Sequence, residues 1–108
     1  MIARVWRGIT GVEKADEYYD YLLRTGVKDC RQTAGNREVQ ILRQVGEAQA
    51  EFLFISFWDS LESIRRFAGE DIERAVYYPE DKDYLITLEP KVTHYEVLHT
   101  SSNEGRAS

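Results

Sequence analysis

The stretch FLFISFWDSLESIRRFAGEDIERAVYYPED, from Phe52 to Asp81, constrains the fold more than any other part of the chain. It opens with a run of aromatic and β-branched residues, the composition of a strand buried on both faces. Asp59 with Glu62 then offers a helix start, Leu61, Ile64, Phe67 and Ala68 recur at helical spacing, and Gly69 supplies a stop. Asp71 is expected to cap a second short helix through Ala75 and Val76, closed by Pro79. A strand this apolar needs cover on each side, so the chain must supply a layer of helices and a further layer from elsewhere.

The rest of the chain fits one domain around such a strand. A length of 108 residues suits a single core. The net charge of −5 gives no electrostatic motive for binding nucleic acid or an anionic membrane surface. No apolar run approaches the ~18 residues needed to span a bilayer. The opening MIARVWRG reads as a strand rather than a signal peptide, since Arg4 and Arg7 interrupt it. Cys30 is the one cysteine, so no internal disulfide is possible, and a cytoplasmic, reducing location is the expectation. Residues 1–99 are read as the domain and 100–108 as a flexible polar tail.

Along the chain, Ile2 to Gly8 predicts a first strand, and Thr10 with Glu13 a capping box. Ala15, Tyr18, Tyr19, Leu22 and Leu23 mark a helix that Gly26 is expected to stop, leaving Cys30 in a loop. Arg37–Val45 and Glu51–Trp58 follow as strands around a turn at Gly46, and Val92–His99 is the last. The order β-α-β-β-α-β is the split βαβ, or ferredoxin-like, pattern: an α+β fold with one antiparallel sheet and both main helices on one face.

Alternation then sorts the side chains. Leu53, Ile55 and Phe57 are expected under the helices, with Ala3, Val5, Tyr95 and Val97. The opposite set is Phe52, Phe54, Ser56 and Trp58, with Arg4, Trp6, His94 and Glu96. Four large side chains, each worth roughly 1.5–3 kcal/mol when buried, are too much to leave in water. A second copy of the chain is the simplest cover, giving a homodimer through Trp6, Phe54 and Trp58 and a shared barrel between two sheets.

The candidate chemistry lies on that set. His94 titrates near neutrality and Glu96 shares its side of the strand. Arg4 is expected on the neighbouring strand. Such a cluster either orients an acidic or phenolic substrate or forms an internal ion pair of structural use. Trp6, Phe52, Phe54, Ser56 and Trp58 form either a slot for a flat aromatic ligand or the core of a dimer. Tyr77 and Tyr78 are either a lid or a packed terminus. His94 and His99 fall on opposite sides of their strand, so no metal site is expected. There is no phosphate-binding glycine loop, nucleophile elbow or dinucleotide fingerprint, so no cofactor is expected either.

The element order, the segment FWDSLESIRRFAG, the following AVYYPED and the terminal HYEV together resemble the antibiotic biosynthesis monooxygenase family of dimeric α+β barrels. The resemblance implies a ferredoxin-like protomer, a homodimer and an internal cavity. It also implies oxygenase chemistry without a cofactor on a small aromatic or phenolic molecule, the protein deprotonating and positioning it. On that reading His94 accepts the proton and Arg4 stabilises the phenolate. Haem-degrading relatives use a first-strand asparagine, a second-helix tryptophan and a following histidine. Here the helix position holds Phe67, no histidine lies in Glu73 to Tyr78, and the first strand has no asparagine. The alternative is a non-catalytic dimeric ligand-binding or stress-related module of the same fold.

Overall fold

A computed structural model describes residues 1–101; the remainder of the polar tail lies outside the described residues. The sheet is built from β1 (Ile2–Gly11), β2 (Asn36–Val45), β3 (Gln49–Trp58), β4 (Leu85–Thr87) and β5 (Thr93–Glu96). The antiparallel order is β2-β3-β1, and the outer edge of β1 is shared by two short strands. β5 pairs with Ile2 to Val5, and β4 with Ile9 and Thr10. This is the expected ferredoxin-like arrangement with its last edge strand split in two. No helix among the described residues is long and apolar enough to cross a membrane.

The helices lie over one face of the sheet. α1 (Ala15–Leu22) runs through a widened π segment, Leu23–Val27, into α2 (Lys28–Gln32). Gly26 therefore does not stop the helix. It sits inside the π segment, where an added Cβ would come within 3.1 Å of the Phe54 ring. The glycine is needed for close approach of helix to sheet, not for termination. Cys30 is accordingly not in a loop but in α2, with no exposed surface. The Thr10 cap is also absent, because β1 extends to Gly11 and a 3₁₀ turn at Val12–Lys14 leads into α1.

α3 (Leu61–Ala68) starts one residue later than the sequence suggests. Ser60 is its N-cap: its Oγ accepts from the Ser63 amide at 3.2 Å, and the Ser63 Oγ accepts from the Ser60 amide at 3.2 Å. Gly69 ends α3 with φ of 92°, a left-handed conformation that favours glycine. The short helix expected after Asp71 does not form; that stretch is a turn, and Arg74 bridges to Lys91. A helical turn appears later instead, as α4 (Asp81–Tyr84).

The grouping of side chains by alternation holds, but the two faces are reversed. Ile2, Arg4, Trp6 and Gly8 stand opposite Trp58, Ser56, Phe54 and Phe52, so these residues share one side of the sheet. That side is the one under the helices. The Tyr18 ring of α1 meets Phe52 edge-on at 5.3 Å and Trp6 at 6.5 Å, and Phe67 of α3 lies 5.6 Å from Trp58. Phe52 and Trp58 have no exposed surface in a single chain. A dimer through Trp6, Phe54 and Trp58 is therefore ruled out in this fold. The uncovered side carries Val5, Leu42, Leu53, Ile55, Phe57 and Tyr95. Both sides of β3 are apolar, so period-two alternation cannot tell which one meets the helices. The larger rings win that place because they fill the deeper gap between helix and sheet.

Candidate functional site

Between the sheet and the helices lies a cavity of about 40 Å³. Its floor is Arg4 and Trp6 of β1 and Phe54 of β3. Tyr18, Leu22 and Gly26 form one wall, Phe67 of α3 another, and Val76, Tyr77, Tyr78 and Asp81 close the mouth. The volume holds one or two water molecules, far below the ~300 Å³ of a typical small-molecule pocket. Any larger ligand must displace the Val76–Tyr78 stretch, which has no regular structure.

Side-chain hydrogen bonds tie that stretch down. The Tyr78 hydroxyl donates to Asp29 Oδ2 at 2.6 Å, and the Glu80 amide donates to the Tyr21 hydroxyl at 3.1 Å. Trp6 Nε1 donates to the Tyr77 hydroxyl at 3.1 Å, which in turn donates to the Glu89 carbonyl at 2.6 Å. The Trp6 indole lies flat over Gly8, where an added Cβ would come within 2.2 Å of the ring. Gly8 thus lets the ring form part of the floor.

Arg4 is the most unusual residue of the site. It is 5 % exposed, yet among the described residues no carboxylate pairs with it. Its Nη2 donates to the Arg74 carbonyl at 2.8 Å and to the Ile72 carbonyl at 3.4 Å. Its Nε is buried without a partner, and its guanidinium lies 5.5 Å from the centre of the Phe67 ring. Burial lowers its pKa, but a guanidinium remains charged in proteins. Its charge acts on its neighbours: burial pushes the Cys30 thiol up to about 12, and Arg4 opposes that rise.

Asp81 is the second buried charge, 3 % exposed, at the start of α4. Its Oδ1 accepts from the Tyr18 hydroxyl at 2.8 Å, and its Oδ2 from the Tyr78 amide at 2.7 Å. Burial raises its pKa, and those two bonds partly offset the rise. Burial, then Asp81 itself, raises the Tyr18 hydroxyl far above the ordinary phenol range.

The residues singled out from sequence divide into two groups. Arg4, Trp6, Phe54, Tyr77 and Tyr78 come together on the cavity surface. Phe52, Ser56 and Trp58 are buried in the adjoining core, where Trp58 Nε1 donates to Ser56 Oγ at 2.8 Å. His94 lies opposite Arg4 on β5 but is not part of the cavity wall. Its Nε2 is buried and unpaired, and burial followed by the Arg4 charge holds its pKa below the ordinary imidazole range. Glu96 is exposed, and Arg4 bonds to backbone carbonyls rather than to it. Tyr18, Leu22, Gly26, Phe67, Val76 and Asp81 were not expected at the site. Tyr18, Leu22 and Phe67 had a signal, their helical spacing, but it marks core equally well. Asp81 had none. Among the described residues no three His, Cys, Asp or Glu side chains converge as metal ligands.

Comparison with solved structures identifies the architecture. A Bacillus cereus protein assigned as an antibiotic biosynthesis monooxygenase superposes with a TM-score of 0.66 at 12 % identity, covering 94 % of this chain and 96 % of its own. The fold is that of the antibiotic biosynthesis monooxygenases. A Nitrosomonas europaea protein with the same assignment gives 0.63 at 14 % identity, covering 92 % of this chain and 100 % of its own. An arginine-to-serine mutant of MhuD, solved with two manganese protoporphyrin IX bound per active site, gives 0.59 at 16 % identity over 94 % and 99 % of the two chains. At these identities the likeness is one of fold. No protein-family model matches the sequence, and no curated protein matches it.

Proposed function

We propose that this chain is a small-molecule enzyme of the cofactor-independent monooxygenase type, acting on an aromatic or phenolic substrate in the Arg4 cavity. The observation that carries the reading is Arg4, a buried cation with no counter-ion among the described residues and a buried Nε without a partner, set among rings. A charge so placed is costly unless an anion meets it during function. A phenolate is such an anion, and it yields an electron to oxygen more readily than the phenol does. In the overall reaction a phenol becomes a quinone: its O–H and one ring C–H are lost and two C=O groups result, one atom of O₂ entering the product and the other leaving with both hydrogens as water. Arg4 holds the negative charge on the substrate oxygen while the rings hold its plane. His94 stands outside the cavity wall and enters this reading as a neighbour of Arg4 rather than a group touching the ligand.

A haem fits this site poorly. The wall holds no histidine, and the Tyr77 and Tyr78 hydroxyls are bonded to Glu89 and Asp29. The uncovered side of the sheet, with Leu53, Ile55 and Phe57, supports pairing with a second copy of the chain. The small cavity volume favours a second reading, in which the protein is a non-catalytic ligand-binding or stress-related module. An aerobic screen of quinols and polycyclic phenols for oxygen uptake separates the two. Uptake that is lost in Arg4→Gln supports the enzyme; no uptake with any of them supports the module.

A further inference from the structure

A second opening lies outside the Arg4 cavity, between the turn that follows α3 and the segment joining β4 to β5. It is a surface groove of about 450 Å³, bounded by Arg74, Ala75, Tyr77, Leu88, Pro90 and Lys91. That volume falls within the range of small-molecule sites, roughly 300–1,000 Å³. Backbone bonds hold two cations side by side there. The Ala75 amide donates to the Pro90 carbonyl at 2.9 Å, and the Val92 amide to the Glu73 carbonyl at 2.8 Å. These bonds flank Arg74 and Lys91, which stand opposite each other as an antiparallel pair. The pair is thus of the non-hydrogen-bonded kind, in which opposed side chains share one side and approach closely.

Like charges set directly opposite repel each other. Among the described residues neither Arg74 nor Lys91 is in a salt bridge, and both are exposed. The nearby carboxylates are engaged elsewhere or turned away. Asp71 also lines the groove, and its Oδ1 accepts from the Glu73 amide at 3.3 Å. Glu89 pairs with Arg7 at 3.0 Å. Glu73 alternates to the other side of its strand and is not part of the lining. Beside the cations the lining is apolar: Ala75, Leu88, Pro90 and the ring of Tyr77, whose hydroxyl is committed to Trp6 and the Glu89 carbonyl. A chain of net charge −5 repels anions as a whole, so this uncompensated pair is a local exception.

We propose that the groove is a binding site for organic carboxylates with a compact apolar body. The carboxylate lies between the Arg74 guanidinium and the Lys91 ammonium and relieves their repulsion, while the body covers Tyr77, Leu88 and Pro90. The planar fork of arginine suits a carboxylate, and a charge-assisted bond is roughly twice as strong as a neutral one. The groove shares only Tyr77 with the Arg4 cavity, and the Arg74 and Lys91 side chains line the groove alone. The inference therefore goes beyond the reading given above and does not depend on it.

Isothermal titration of the intact chain at low salt with 2-naphthoate, 2-naphthalenemethanol, acetate and inorganic phosphate tests this. Naphthoate should bind at least about tenfold tighter than each of the others, since it alone carries both the charge and the body. Equal binding of the alcohol would show that the cations play no part. Equal binding of phosphate or acetate would show the same of the apolar lining. Either result, or no binding of naphthoate, overturns the proposal. Amide shifts of the wild-type chain locate the ligand. They should centre on Arg74, Ala75, Leu88 and Lys91; shifts centred on Trp6, Phe54 and Phe67 would place it in the inner cavity and overturn the assignment. Lys91→Gln should lower naphthoate affinity about tenfold while raising the urea midpoint of the unliganded chain, because the repulsion is gone. A fall in both would make Lys91 a structural prop and contradict the proposal. Oxygen uptake in the Arg4 cavity is read separately, so either site can fail without the other.

Discussion

The two sides of β3 are nearly equal in apolar character but differ in what covers them. Phe52, Phe54, Ser56 and Trp58 are sealed beneath the helices within one chain, while Leu53, Ile55 and Phe57 on the other side are only half-buried. The sealed side mixes large rings with polar groups, and every one of its residues has a nearby partner or wall. The uncovered side carries Leu53, Ile55 and Phe57 on β3, with Tyr95 57 % exposed beside them. The difference teaches that one strand can present two unlike faces: one set of residues borders an internal cavity, and the other leaves an apolar surface half-covered. Burial alone does not separate a core from a site. The separating feature is the charge left unneutralised among the rings.

Several substitutions would break or sharpen this contrast. The largest stability loss is expected at Trp58, fully buried against Phe67 and bonded to Ser56. Trp58→Ala should cost about 3–5 kcal/mol, read by urea denaturation. Leu53→Ala on the uncovered side should cost far less per protomer, and equal losses would erase the distinction. Gly26→Leu comes next, since an added Cβ already approaches Phe54 within 3.1 Å. Overpacking there should cost about 1–3 kcal/mol and abolish binding in the cavity; a variant that binds normally would show that the π segment yields easily.

Cys30→Ser is expected to be smaller. A hydroxyl replaces a thiol at a fully buried position, and about 1–2 kcal/mol should be lost in the same denaturation experiment. An unchanged midpoint would mean the new hydroxyl finds a partner. The smallest effect is a pH dependence. His94 titrates below its ordinary range in the folded chain, so the unfolded chain binds the proton more readily. Stability should therefore be intact above the ordinary imidazole range and decline as pH falls through it. His94→Gln should flatten that decline, and an unaltered profile would assign the slope to other groups.

Much of this arrangement was legible in the sequence, and the failures share a cause. Strand order and antiparallel pairing follow from the β-α-β-β-α-β element order, and the company of Arg4, Trp6, Phe54 and Trp58 from period-two alternation. Which side the helices cover does not follow, because both sides of β3 are apolar. Gly26 carries the same composition signal whether it ends a helix or admits one close to a ring, and only the packing against Phe54 decides. Asp81 follows Pro79 and Glu80 in a polar run and gives no sign of burial. It is drawn inward by Tyr18, a partner 63 residues away in sequence. Local pattern thus recovers neighbours along and across strands, while the ends of the cavity depend on contacts from distant segments.

The claim that the two sides of the sheet do different work is tested most directly by sedimentation velocity at low micromolar concentration, with wild type beside Ile55→Asp. Wild type should sediment as a dimer, and Ile55→Asp as a folded monomer, since the charge falls on the uncovered side and leaves the Arg4 cavity untouched. A folded wild-type monomer, or a dimer that Ile55→Asp does not weaken, would contradict the account.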